Sequence, residues 1–153
     1  MTVERIYLRE VEGGPMLQRL RVAVVAGRGI EGDRYFGRQD EPGQNITLVE
    51  AEAIEGFLRA QGRAIDLSVT GRNVVVRGVQ LNRLIGRRFR LGSALLRGVE
   101  HCDPCLTLGQ ALAGPGVTPA DVVRAFIASG GLRADVLVGG EVAVGDALQP
   151  ADD

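Results

Sequence analysis

The 153-residue chain reads as a β-rich α+β domain, a single-domain β-barrel of short strands with two or three peripheral helices, and three observations predict it. Glycine occurs 22 times, about twice its ordinary share of ~7%, so tight turns recur throughout. Between the turns lie short β-branched segments whose spacing suits a barrel or sandwich. Only two longer stretches carry apolar residues at helical spacing, and these suit helices packed on a barrel.

In chain order the strand segments are Val3 to Arg9, Leu20 to Ala26, Ile46 to Val49, Asn73 to Val76, Arg87 to Leu91, Ala94 to Val99, Ala134 to Val138 and Glu141 to Val144. The first helix is expected over Val49 to Gln61. Ile54, Phe57 and Leu58 stand there at i, i+3 and i+4 among Glu50, Glu52, Glu55 and Arg59, with Gly62 beyond the end. A second starts at Thr118-Pro119, a cap and a first helical position, and runs through Val122, Val123, Phe126 and Ile127 to Gly130-Gly131. A short third follows Asp103 as N-cap and Pro104 as first position, continuing through Leu106, Leu108 and Leu112. Arg87-Arg88 and Arg90 read as a solvated strand edge that discourages sheet-to-sheet aggregation. With no linker, repeat or low-complexity tract, residues 1–153 are expected to form one domain.

Charge and composition exclude several function classes. Eighteen basic against nineteen acidic residues leave no overall field to hold nucleic acid or an anionic membrane. No apolar run approaches the roughly 20 residues of a membrane span, and Met1-Thr2-Val3-Glu4-Arg5 has no signal-peptide pattern, so a cytoplasmic protein is expected. All 18 basic residues are arginine. Without lysine the chain can build neither a pyridoxal phosphate Schiff base nor a P-loop, whereas arginine forks remain suited to phosphate and carboxylate.

The only two cysteines and the only histidine stand together in Glu100-His101-Cys102-Asp103-Pro104-Cys105-Leu106. A first helical turn would lower the pKa of Cys105 through free amides and the helix dipole, while the charge of Asp103 opposes this. Cys105 is therefore a candidate nucleophile or soft-metal ligand, against the alternative of a small buried hydrophobe. Cys102 and Cys105 as C-x-x-C permit a dithiol–disulfide cycle, although the alternating βαβ context of a thioredoxin is missing. A zinc site at His101, Cys102 and Cys105 would need further ligands such as Asp33 or a second chain. If the strand extends to Cys102, then His101 and Cys102 face opposite sides and form no nucleophile–base pair.

Several stretches, in order, carry a family resemblance. They are Gly29-Ile30-Glu31-Gly32-Asp33-Arg34-Tyr35-Phe36-Gly37, Gln44-Asn45-Ile46-Thr47-Leu48-Val49-Glu50, Gly71-Arg72-Asn73-Val74-Val75-Val76 and Leu84-Ile85-Gly86-Arg87-Arg88-Phe89-Arg90-Leu91-Gly92. The cysteine segment follows, and then Gly130-Gly131-Leu132-Arg133-Ala134-Asp135-Val136-Leu137, Gly139-Gly140-Glu141-Val142 and Gly145-Asp146. Together they resemble a MOSC domain, the module named after the C-terminal part of molybdenum cofactor sulfurase, over essentially the whole chain.

The resemblance implies a barrel fold and a role with the pterin-molybdenum cofactor, molybdopterin, as binding protein or sulfur carrier. It points to Cys105 as persulfide carrier or molybdenum ligand, with Cys102 as a second catalytic-site cysteine in a resolving or protective role. Arg34 would bind the pterin phosphate, and Asp33 would fix the loop or accept pterin N–H groups; Arg72, Asn73 and Arg133 are further cofactor-binding candidates. Many members carry histidine after the Asp-Arg pair, where this chain has Tyr35. Sulfur would come from a separate donor such as a cysteine desulfurase. Two other readings remain. One is a molybdenum-dependent reductase of N-hydroxylated compounds fed by an electron-transfer protein, and the other is a cofactor-binding module without chemistry.

Overall fold

The computed structural model describes residues 1–38, 40–104 and 106–151. In chain order the elements are β1 (Thr2–Leu8), β2 (Leu17–Arg19), β3 (Arg21–Val25), β4 (Gly29–Ile30), β5 (Ile46–Glu50), α1 (Ala51–Ala60) and β6 (Val74–Arg77). After a 3-10 turn at Leu81–Leu84 come β7 (Arg88–Leu91), β8 (Ala94–His101), α2 (Leu106–Leu112), α3 (Pro119–Ala125), β9 (Leu132–Val138), β10 (Gly140–Ala143) and β11 (Leu148–Pro150). Eight strands form one mixed sheet in the order β11-β7-β8-β9-β5-β6-β1-β2, and β10-β3-β4 form a second. The parallel pair, β5 and β6, is joined through α1, as a crossover connection requires.

The expected β-rich α+β class is present, but among the described residues no ladder closes the larger sheet into a barrel. The start of β1, next to the border strand β2, meets the segment leading into β11 through the isolated bridge of Thr2 with Ala147 and through backbone hydrogen bonds of Val3 with Gly145 and Asp146 and of Met1 with Leu148. The border strands β2 and β11 are three residues each and form ladders with β1 and β7 alone, and β3 spends both its edges on β4 and β10.

Two apolar cores flank the sheet. Alternation along β1, β5 and β6 sends Ile6, Leu8, Leu48, Val74 and Val76 into the interior between the sheets, and Tyr7, Val49 and Val75 outward onto the helices. Buried on both faces, β6 reads in sequence as a continuous apolar run, Val74-Val75-Val76, rather than as alternation. The outer core is completed by Ile54 and Leu58 of α1, Leu108 and Leu112 of α2, and Val122 of α3 with Phe126 just beyond it. Phe57 and Phe126 meet at 5.3 Å between ring centroids.

Each of the eight expected strand segments contains a strand, and the structure adds β2, β4 and β11, which are too short to show a periodicity. Helix α1 begins at Ala51 because β5 extends to Glu50. The cap at Thr118 is a capping box with Asp121, and Pro119 opens α3 as expected. That helix stops at Ala125, however: the amide of Phe126 bonds back to the Val122 and Val123 carbonyls in a tightened turn, which leaves Ile127 outside the helix and exposed. Helix α2 starts at Leu106, so Asp103 and Pro104 precede it rather than opening it. The β7 arginines do not form an edge, because β11 covers that side of the strand. No helix among the described residues is long and apolar enough to cross a membrane.

Candidate functional site

One end of the β8-β9-β5-β6 row, together with the loops before β5 and β6, surrounds a cavity of about 360 Å³ whose walls include Arg34, Tyr35, Thr47, Arg72, Cys102 and Arg133. The ladders set this register. Thr47 stands opposite Arg133, and Arg133 is in turn opposite Glu100.

Two glycines make the approach possible. Gly131 has φ +120°, and a Cβ there would collide with the Leu48 carbonyl oxygen; one at Gly130 would collide with that of Cys102. Their lack of side chains lets β9 start beside β5, and the Cys102 amide donates to the Gly131 carbonyl at 2.8 Å. Gly43, on the cavity wall, is fixed by donating its N–H to Asp135 at 2.7 Å.

Asp33 is buried and does not line the cavity. Its two carboxylate oxygens accept the backbone N–H groups of Arg9 and Tyr35, each at 3.2 Å, so it orders the loop that presents Arg34. The Arg34 guanidinium lies 4.3 Å from the Tyr35 ring centroid, and Arg38 lies 4.9 Å from the same ring, so Tyr35 sits between two cations. The Nε of Arg34 is buried without a hydrogen bond, and its ion-pair contact with Glu12 is long at 3.5 Å. Arg72 donates Nε to the Gly130 carbonyl at 2.9 Å and leaves Nη2 buried and unpartnered.

Asn73 and Arg133 are committed inward. The Asn73 amide donates to the Tyr7 carbonyl at 3.1 Å and its oxygen accepts the Thr47 amide and hydroxyl, each at 3.1 Å, stitching β1 to β5. Arg133 engages Gly43, Glu100 and Glu41 through all three of its nitrogens. It shapes the wall and has little left for a ligand.

Cys105 lies outside the described residues. Cys102 is buried, while its neighbour His101 ends β8 exposed; the strand stops short of Cys102, so alternation does not set the two apart, and both line the cavity. Burial pushes the Cys102 thiol up, and the charges of Arg72 and Arg133 work in the other direction. Among the described residues no three His, Cys, Asp or Glu side chains gather as a metal site. Gln44, Thr47 and Arg9 are the residues that sequence reasoning missed. Gln44 and Thr47 lie on the cavity wall, while Arg9 is latched to Asp33 and has a buried unpartnered Nε. Their only signal was position, Gln44 and Thr47 in the second quoted stretch and Arg9 at the end of the first strand.

Comparison with known proteins bears on this arrangement. Residues 31–149 match the family model described as MOSC domain. The fold resembles crystal structures of the YUAD protein from Bacillus subtilis (TM-score 0.82, 23% identity, 100% of this chain and 98% of that one) and of YiiM from Geobacillus stearothermophilus (0.73, 18%, 99% and 75%). YiiM from Escherichia coli is also similar, with TM-score 0.70 and 17% identity over 100% of this chain and 71% of that one. No curated protein sequence matches the chain.

Proposed function

The chain belongs to the MOSC domain family, and on that premise we propose that its arginine-lined cavity binds the molybdenum cofactor and that the protein carries sulfur with it. The observation that carries the reading is the pair of buried guanidinium nitrogens without a hydrogen bond, Arg34 Nε and Arg72 Nη2, on a cavity that also holds a cysteine. Such donors fit a phosphate, because a buried N–H is costly until an acceptor meets it and a charged acceptor makes the strongest bond.

In this reading Arg34 and Arg72 hold the phosphate, Asp33 and Tyr35 hold Arg34 in place, and Thr47 with Asn73 keeps the floor rigid. When bound, the cofactor supplies a molybdenum centre with affinity for thiolate sulfur. Cys105 is the persulfide carrier or metal ligand, and Cys102, kept as a neutral thiol by its burial, takes the resolving or protective role. Because there is no lysine, the sulfur is generated by a separate protein such as a cysteine desulfurase. The setting is a single domain working in the cytoplasm.

Native mass spectrometry of protein purified from a cofactor-producing host tests this. A bound pterin in the wild type, lost in the Arg34→Gln/Arg72→Gln double variant, and one reductant-sensitive sulfur atom added on Cys105 are the expected results. Purified protein that takes up no cofactor at all overturns the reading. Cofactor retention without sulfur on Cys105 leaves binding and removes the carrier role.

A further inference from the structure

We propose that the groove between α1 and α3 is a self-association surface, occupied by α1 of a second copy of this chain running antiparallel across a two-fold axis near Gly56. The groove has a volume of about 620 Å³, with Ala53, Gly56 and Ala60 of α1 along one wall, Ala125 of α3 on the other, and Phe57 and Phe126 in its lining. It shares no residue with the arginine-lined cavity. The contact therefore stands whether or not that cavity takes a cofactor.

Gly56 stands in the interior of α1, its φ is not positive, and a Cβ built on it meets no atom within 4 Å. Nothing inside the chain needs a glycine there. Gly62, just beyond the same helix and with equal space around it, has φ +64° and does need one. Because glycine weakens a helix interior relative to alanine, the position gives up helix stability without relieving any internal clash. The missing side chain matters once a second helix backbone comes close, and Ala53 and Ala60 keep the same wall low three residues before and four after.

Charge complementarity identifies the occupant as the chain itself. Glu52 and Arg59 are both exposed, and their spacing of seven residues puts them on one face of α1 with Gly56 between them. In an antiparallel pair crossing near Gly56, Glu52 of each copy stands level with Arg59 of the other, so a single two-fold contact makes two opposite-charge pairs. A parallel pair would set Glu52 against Glu52. The other charges of α1, α3 and their flanks are already held within the chain: Glu55 by Arg77, Glu50 by the Leu81 backbone, Asp121 by Thr118 and Arg124, and Arg63 by the Leu112 carbonyl. Glu52 accepts only the Gly78 N–H, at 3.0 Å, and its carboxylate keeps acceptor sites for an arginine.

Sedimentation equilibrium of the full chain over about 5 to 500 μM tests this, and a dimer with Kd of about 10–100 μM is expected, the range of a contact smaller than a standard interface. Gly56→Leu should stay monomeric over the same range while its thermal midpoint rises by about 2–4 °C, because leucine favours the helix and meets nothing in its own chain. Glu52→Arg and Arg59→Glu should each weaken self-association by about tenfold or more, through like charges facing twice across the axis. An equimolar mixture of those two variants should dimerise at least as tightly as the wild type, since every facing pair is then of opposite charge. Glu52→Gln keeps an acceptor for the Gly78 N–H and should show a milder loss of the same sign if Glu52→Arg does not fold. A wild type that remains monomeric to about 500 μM, a Gly56→Leu variant that still dimerises, or a mixture that associates no better than its components overturns the proposal.

Discussion

Arginines at the two ends of β6 are treated in opposite ways. At its last residue, Arg77 donates to Glu4 at 2.8 Å and to both oxygens of Glu55 at 2.9 and 2.8 Å. Two residues before its start, Arg72 has one backbone acceptor and a buried nitrogen with nothing to bond. The Arg77 end joins β1, β6 and α1 through a planar, bidentate pair. The Arg72 end carries an unmet donor that costs stability unless an anion arrives, the pattern expected where stability is spent on binding.

The largest effect is expected at the backbone that shapes the open end. Gly131→Ala should lose about 3 kcal/mol of stability in urea unfolding, since a side chain at φ +120° is strained and meets the Leu48 carbonyl. A loss below about 1 kcal/mol would show that the open end relaxes freely.

Exchanging the arginines should then separate binding from stability. Arg72→Gln is expected to weaken phosphate binding by about 1.5–3 kcal/mol while leaving the unfolding midpoint unchanged or higher. Arg77→Gln is expected to cost about 1 kcal/mol of stability, a value held down by its partial exposure, with phosphate affinity intact. If both variants lose stability alike, the contrast between the ends fails.

Acid titration sharpens the same contrast by a smaller margin. Hydrogen bonding from Arg77 holds the Glu55 carboxyl below its ordinary value of 4.5, against desolvation. A lowered folded pKa means that this stabilisation is complete above pH 4.5 and disappears as pH falls through the lowered value. Unfolding free energy in Arg77→Gln should therefore fall less steeply below pH 4.5 than in the wild type, and parallel curves would contradict the pairing.

The smallest effect is at Cys102. In a Cys105→Ser background its alkylation near pH 7 should be slower than that of a free thiol because burial pushes the pKa up. Arg72→Gln, by removing a charge that favours the thiolate, should slow it further, whereas Arg77→Gln should leave it unchanged.

Much of the fold was legible from local signals. The stripe of Ile54, Phe57 and Leu58 marks α1, Thr118-Pro119 marks the start of α3, and the β-branched runs mark eight strands. Closure was not legible, because whether β2 or β11 pairs onward depends on partners far along the chain. Of the candidate site, Arg34, Arg72, Asn73, Cys102 and Arg133 do come to one cavity, while Asp33 supports it from behind. Arg9 escaped notice, since a lone arginine after a strand looks like any solvated charge.

The sequence by itself determined the β-rich α+β class, the membership of the MOSC family, the absence of lysine chemistry and the segments that carry the site. Only the tertiary structure decided which arginines are spoken for. Arg133 is satisfied by Gly43 and Glu41, 90 and 92 residues away, and Arg72 by Gly130, 58 residues away, with one nitrogen left over. Whether a buried donor finds an acceptor depends on distance in space, and sequence spacing carries no trace of it.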